Sequence, residues 1–279
     1  MLLSNASLIR VASLLVAALW VLVLSFMLPE STGTGKNADI FSWHDFLIAT
    51  GDPMYPVNIQ VLIWVAFFYA IGELVIRWLN MNEQLIQKDC FDLYSNPDQL
   101  ILNIDGNKMT VNLHEDLAIK PEIMSAIFAA KKTMLPKQSL VFTFLRHITY
   151  QFQSTNNVGD VYSSMTSLSD SELHKTELGY TVVKYIAWLI PTLGFIGTVV
   201  GITMALGTAG TMDSGDAKLL AVVIPKLAQA FYTTLLALLL SAIIMVLLQI
   251  IEAKDERVVN DISSYFQEHV VTNLKPRND

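Results

Sequence analysis

One cysteine, Cys90, in 279 residues leaves no internal disulfide and no partner thiol for redox chemistry. Histidine is sparse as well, five in all; the three in the long polar region, His114, His147 and His174, show no ligand-like spacing and read as solvated surface residues, and no metal site is expected. No glycine-rich phosphate loop is present, which removes the nucleotide-binding classes. Charged residues make up only 15% of the chain, against about 25% in soluble domains. The net charge of −7 offers no basic surface for nucleic acid. Neither an enzyme active site nor a cofactor site emerges.

What fills the chain is hydrocarbon. Hydrophobic residues reach 53% and the mean hydropathy is +0.46, the composition of an integral membrane protein. The first span, Val11–Leu28, carries no charge and is long enough for a hydrocarbon core of about 30 Å. It is expected to be retained, because FMLPESTG offers no A-x-A cleavage site. An outer loop over 29–56 is broken by Gly33, Gly35 and Pro53 and carries an aromatic patch at Phe41, Trp43 and Phe46.

The second span, Val57–Leu79, ends in Glu73 and Arg77, four residues apart on one helical face and expected as a snorkelling ion pair. A polar region over 80–180 follows. In it, Asp105 and Gly106 lie between two alternating segments, a hairpin signal, while Glu122–Lys132 and Ser139–Gln151 look helical and Ser154–Ser171 looks like a loop. The last two spans occupy 181–251, and the tail over 252–279 has an amphipathic continuation through Val258, Val259, Ile262 and Phe266 before a disordered end. Arg10, Arg77, Lys88, Lys175, Lys254 and Arg257 all fall on one side of these spans, which puts both termini and the 80–180 domain in the cytoplasm. The fold class is therefore all-α membrane protein, with four transmembrane helices at 1–79 and 181–251, a mainly helical cytoplasmic domain carrying one small β-hairpin, and a cytoplasmic tail.

The third span breaks the ordinary rules for a helix. Gly194, Gly197 and Gly201 fall near one face and admit a neighbouring backbone, and Pro191 removes an amide, so one carbonyl needs a partner from another helix, a hydroxyl or water. Glycine and proline are frequent in membrane helices, so this spacing by itself means packing. The fourth span adds a seam of Lys226, Ala230, Thr234, Ala237 and Ser241 on one face, widened by Thr233 and Gln229, which should face protein rather than lipid. A threonine in such a helix ordinarily bonds a carbonyl one turn back. Between Thr181 and Ile251 the only acidic residues are Asp213 and Asp216, both in the outer turn, so these spans contain no mid-membrane carboxylate.

PTLGFIGTVVGITMAL together with QAFYTTLLALLLSAI resembles the paired pore helices of the MotA/TolQ/ExbB family of ion-driven motor subunits. The resemblance covers roughly Thr176–Glu252, and the overall layout is similar to MotA. It implies a homopentamer in the bacterial inner membrane around a single-span partner resembling MotB, TolR or ExbD, which supplies the ion-binding aspartate. It also implies that Pro191 is the family's proline, that Thr198 and Thr234 are its pore threonines with Thr233 beside them, and that the partner's helix passes along the Thr234 seam. The pore-helix packing then falls to Gly194, Gly197, Gly201, Ala230, Ala237 and Ser241. Gln229 stands where TolQ and ExbB have a glutamate, and the subfamily stays open. The function implied is conversion of a proton or sodium gradient into mechanical work; a stand-alone channel or transporter and a membrane scaffold are the alternatives.

Overall fold

The computed structural model describes residues 2–27, 43–48, 58–91, 100–104, 107–111, 119, 121–131, 139–212 and 219–276. Helices dominate: α1 (Leu2–Met27), α2 (Trp43–Leu47), α3 (Ile59–Phe91), α4 (Pro121–Lys131), α5 (Leu140–Thr155), α6 (Val158–Gly179), α7 (Thr181–Gly210) and α8 (Leu219–His269). Strands β1 (Leu100–Ile104) and β2 (Asn107–Val111) pair antiparallel, with Leu100 opposite Val111 and Ile104 opposite Asn107. The turn expected at Asp105 and Gly106, and His114, lie outside the described residues, as do most of the loop at 29–56 and the turn at 213–218. Four helical stretches are long and apolar enough to cross a membrane: Ala6–Met27, Ile59–Lys88, Val158–Gly210 and Leu219–Asn273.

The chain divides into two compact units. Unit 1 comprises Met1–Ile76 and Tyr180–Ile250, and unit 2 comprises Arg77–Gly179 and Ile251–Asp279.

In unit 2 the core forms because α5 repeats apolar residues at helical spacing. Val141, Phe144, Leu145, Ile148 and Phe152 are buried together with Met124 and Ile127 of α4, Val161 and Met165 of α6, and Val258, Ile262 and Phe266 of α8. Phe144 stacks on Phe266 at 5.9 Å between ring centroids. The amphipathic tail is thus a continuous part of α8, and its apolar stripe is covered by this core. Beyond it, Val270, Val271 and Leu274 are also buried, and Ile119 bonds through its backbone to Asn273 and Lys275, so 270–276 is ordered structure and not the disordered end expected.

Three further expectations need correction. Residues 158–171 form the first part of α6, not a loop. Asn157 starts the helix by accepting the Gly159 amide at 2.9 Å, Val161 and Met165 give it a buried face, and Thr166 and Ser167 bond their hydroxyls to the carbonyls of Tyr162 and Ser163. A polar sequence can be helical when its hydroxyls are satisfied by the helix itself. The second correction concerns Glu73. This buried carboxylate is taken by Arg10 of α1, whose Nε donates at 2.6 Å and Nη2 at 3.3 Å, while Arg77 donates to the Gly179 carbonyl at 2.7 Å. His147 is also less solvated than its spacing implied, since its Nε2 meets Ser164 Oγ at 2.5 Å.

In unit 1, α1 rests on α3 through Trp20 against Trp64 and Phe68, and through Ser13, which fills the space a side chain at Gly72 would need. Within the polar loop the sequence conceals α2. The carbonyls at its C-terminal end are taken by α3 and the residue that caps it: Gln60 Nε2 donates to Asp45 O at 2.8 Å and to Phe46 O at 3.1 Å, Trp64 Nε1 to Leu47 O at 2.9 Å, and Asn58 Nδ2 to Ile48 O at 3.2 Å. Asn58 Oδ1 meanwhile accepts the Val61 amide and starts α3.

Candidate functional site

Three glycines of α7, Gly194, Gly197 and Gly201, are where α8 touches it. A Cβ built on Gly194 would lie 2.5 Å from the Ala237 Cβ, one on Gly197 2.5 Å from Thr233 Oγ1, and one on Gly201 2.5 Å from the Ala230 Cβ. No real Cβ tolerates these distances, so hydrogen at each position is what allows the two backbones to meet. The seam of the fourth span is the surface they meet. Lys226, Ala230, Thr234, Ala237 and Ser241 all engage α7, from Lys226 Nζ donating to Thr208 Oγ1 at 2.6 Å at one end to Ser241 at the other.

Close approach brings hydroxyls to backbone carbonyls. Pro191 has no amide to give the carbonyl one turn back, that of Ala187, and Ser241 Oγ donates to this oxygen at 2.9 Å. The carbonyl that the proline frees is thereby satisfied by a neighbouring helix. About two turns along, Thr234 Oγ1 donates to Gly194 O at 2.9 Å, and Thr198 Oγ1 donates to the same oxygen at 3.2 Å. The Thr198 and Thr234 hydroxyls are hydrogen-bonded to each other. Thr233 follows the ordinary pattern, donating to Ala230 O at 2.8 Å in its own helix, as do Thr192 and Thr203 on the exposed side of α7.

The site residues read from the sequence therefore fall at one helix pair, with Thr198 facing Thr234 across it. The Thr234 hydroxyl points at α7 of its own chain, because the bare glycine face brings the Gly194 carbonyl within its reach. Thr198 and Thr234 stay half-buried, so the pair retains an open side. Two hydroxyls hold two protons for three mutual contacts, and each oxygen also has two acceptor sites. Either threonine can donate to Gly194 while the other donates to it, and the unused lone pairs can receive a proton or ligate a cation. Around this polar line Phe195, Val199, Phe231, Leu235 and Leu238 are exposed, the surface of a helix pair made for an apolar solvent. Two partners were invisible in the sequence: Ser241 for Ala187, and Thr208 for Lys226. Only the requirement that Pro191 creates pointed to the first. Among the described residues no group of three His, Cys, Asp or Glu side chains could hold a metal ion.

A model of the MotA/TolQ/ExbB proton channel family matches residues 132–264, which include α5, α6, α7 and most of α8. This match supports the resemblance read from the pore helices, and with the four apolar helices it makes the chain a multi-pass membrane protein. No curated protein and no solved structure matches the chain.

Proposed function

We propose, starting from the family match over residues 132–264, that this chain is the ion-conducting subunit of a proton- or sodium-driven motor or energy-transducing complex. It forms a homopentameric ring in the bacterial inner membrane, with both termini and unit 2 in the cytoplasm, around a single-span partner similar to MotB, ExbD or TolR. The ion pathway runs past Thr198 and Thr234, with Thr233 at its edge, and the chain performs no enzymatic reaction. One observation carries this reading: a hydroxyl pair is built between α7 and α8, yet from Thr181 to Ile251 no carboxylate stands outside the turn containing Asp213 and Asp216.

Such a pair can hydrate an ion or hand it on, but it cannot hold a charge by itself, so it needs an acidic residue from outside α7 and α8, which we assign to the partner chain. That requirement disfavours the stand-alone channel. Each charge crossing 100 mV releases about 2.3 kcal/mol, energy available for moving the ring relative to its axial partner. The test is purification from native membranes. Recovery of five copies with a single-span protein bearing an aspartate near the start of its helix is expected; a monodisperse complex without any second protein would overturn the reading.

A further inference from the structure

Helix α2 is the polar element of unit 1 that the hydroxyl pathway leaves unused. His44 is 5% exposed, and its Nδ1 lies 3.2 Å from Asp45 Oδ1, on a carboxylate side chain that keeps 39% of its surface open. A buried imidazole is thus joined to an acidic group whose side chain is only partly covered by protein. Beside it, Gln60 is 1% exposed and commits its amide nitrogen to two α2 carbonyls, which fixes the orientation of the amide. Its Oε1 is buried without a hydrogen-bond partner. A buried acceptor in that state calls for a water or another proton donor.

The position of α2 gives these groups a purpose. The Phe46 ring meets that of Tyr232 at 6.1 Å between centroids, and Tyr232 stands two residues before Thr234. It is about 9 Å along α8 from Lys226 at 1.5 Å per residue, so α2 reaches well past the outer end of that helix. Backbone at this depth is tolerated where protein satisfies its polar groups, and the carbonyls of Asp45, Phe46, Leu47 and Ile48 each have a donor from α3 or from Asn58, which caps it.

We propose that α2 is the outer intake of the pore and that His44 is its proton-accepting residue, so that the ion transported is H+ and not Na+. This rests on the reading of α7 and α8 as the ion-conducting pair. The step is a proton transfer alone: a proton from outside water adds to the imidazole lone pair, giving an imidazolium held by the Asp45 carboxylate. One proton then leaves toward the pore as the ring returns to its neutral form. Histidine suits this because its charge ordinarily changes between about pH 5 and 8. Among the described residues, the titratable groups on the elements around it are Asp45 on α2, Tyr69 on α3 ahead of Glu73, and Tyr232 and Lys226 on the outer half of α8, while the outer half of α7 carries none.

The experiment uses right-side-out vesicles from native membranes containing the full chain and its partner, with H+ influx read by an internal dye under an imposed potential, at several external pH values, with and without Na+. Influx without Na+ is expected, and His44→Gln should lower it and flatten its dependence on external pH while the complex is recovered in normal amount. Asp45→Asn should act in the same direction and less strongly. A wild-type pH profile in assembled His44→Gln protein, or influx that requires Na+, overturns the proposal. If His44→Gln is not recovered in the membrane, an unchanged profile in Asp45→Asn overturns it. Influx lost in Thr234→Val but indifferent to His44→Gln removes the intake alone, whereas no influx above that of vesicles lacking the chain removes the pore reading with it.

Discussion

In the α7–α8 pair, helices approach through what their side chains lack, whereas in unit 2 they meet through bulky phenylalanine and aliphatic side chains. Gly194, Gly197 and Gly201 leave room for Ala237, Thr233 and Ala230, and the contact is finished by hydroxyls bonding to carbonyls. Phe142, Phe144, Phe152 and Phe266 instead fill unit 2 with rings and little polar contact. The difference follows from solvent. Water drives large apolar surface together, but lipid is as apolar as leucine, so association there depends on close packing and on polar groups that have nowhere else to bond. A site able to handle ions comes at little extra cost in the second kind of contact, because the hydroxyls and carbonyls are already assembled.

The comparison breaks first in unit 2. Truncating Phe144→Ala removes a fully buried ring and its stack on Phe266, and should destabilise unit 2 by about 3–5 kcal/mol, read as a lowered unfolding transition of the purified protein. In the helix pair the opposite change does the damage. Gly194→Ala should cost about 1–3 kcal/mol through overpacking against Ala237, and Ala237→Gly in the same chain should restore part of it; equal loss in single and double variants would mean the contact is not the cause.

A finer test addresses the proline. Ser241→Ala leaves the Ala187 carbonyl without its donor and should cost about 1–3 kcal/mol. In a Pro191→Ala background the helix regains its own amide, so the same serine change should cost clearly less, and a double-mutant cycle on thermal stability measures that coupling. The smallest effect belongs to the surface: Lys175→Ala breaks an ion pair with Glu172 whose lysine is 62% exposed, and should alter stability by no more than about 0.5 kcal/mol.

Glycine spacing, the proline and the small-residue seam made the helix pair legible in the sequence, since each is a local pattern with a steric meaning. Their exact partners were not, because they depend on the register between two helices, which no single segment specifies. Glu73 illustrates the limit: Arg77 is its neighbour by spacing, but Arg10, 63 residues away, holds it. Helix α6 was hidden by its serines and threonines, whose hydroxyls turn back on their own helix, and α2 by its five-residue length inside a polar loop. In both cases the stabilising groups lie where hydropathy gives no signal.

The central claim is that the Thr234 hydroxyl handles ions and does not merely pack. Thr234→Val keeps the branched shape and removes the hydroxyl, so ion-driven output measured alongside ring assembly and partner binding separates the two roles. Normal assembly with lost output is the result expected; normal output at every driving force would reduce Thr234 to a packing residue.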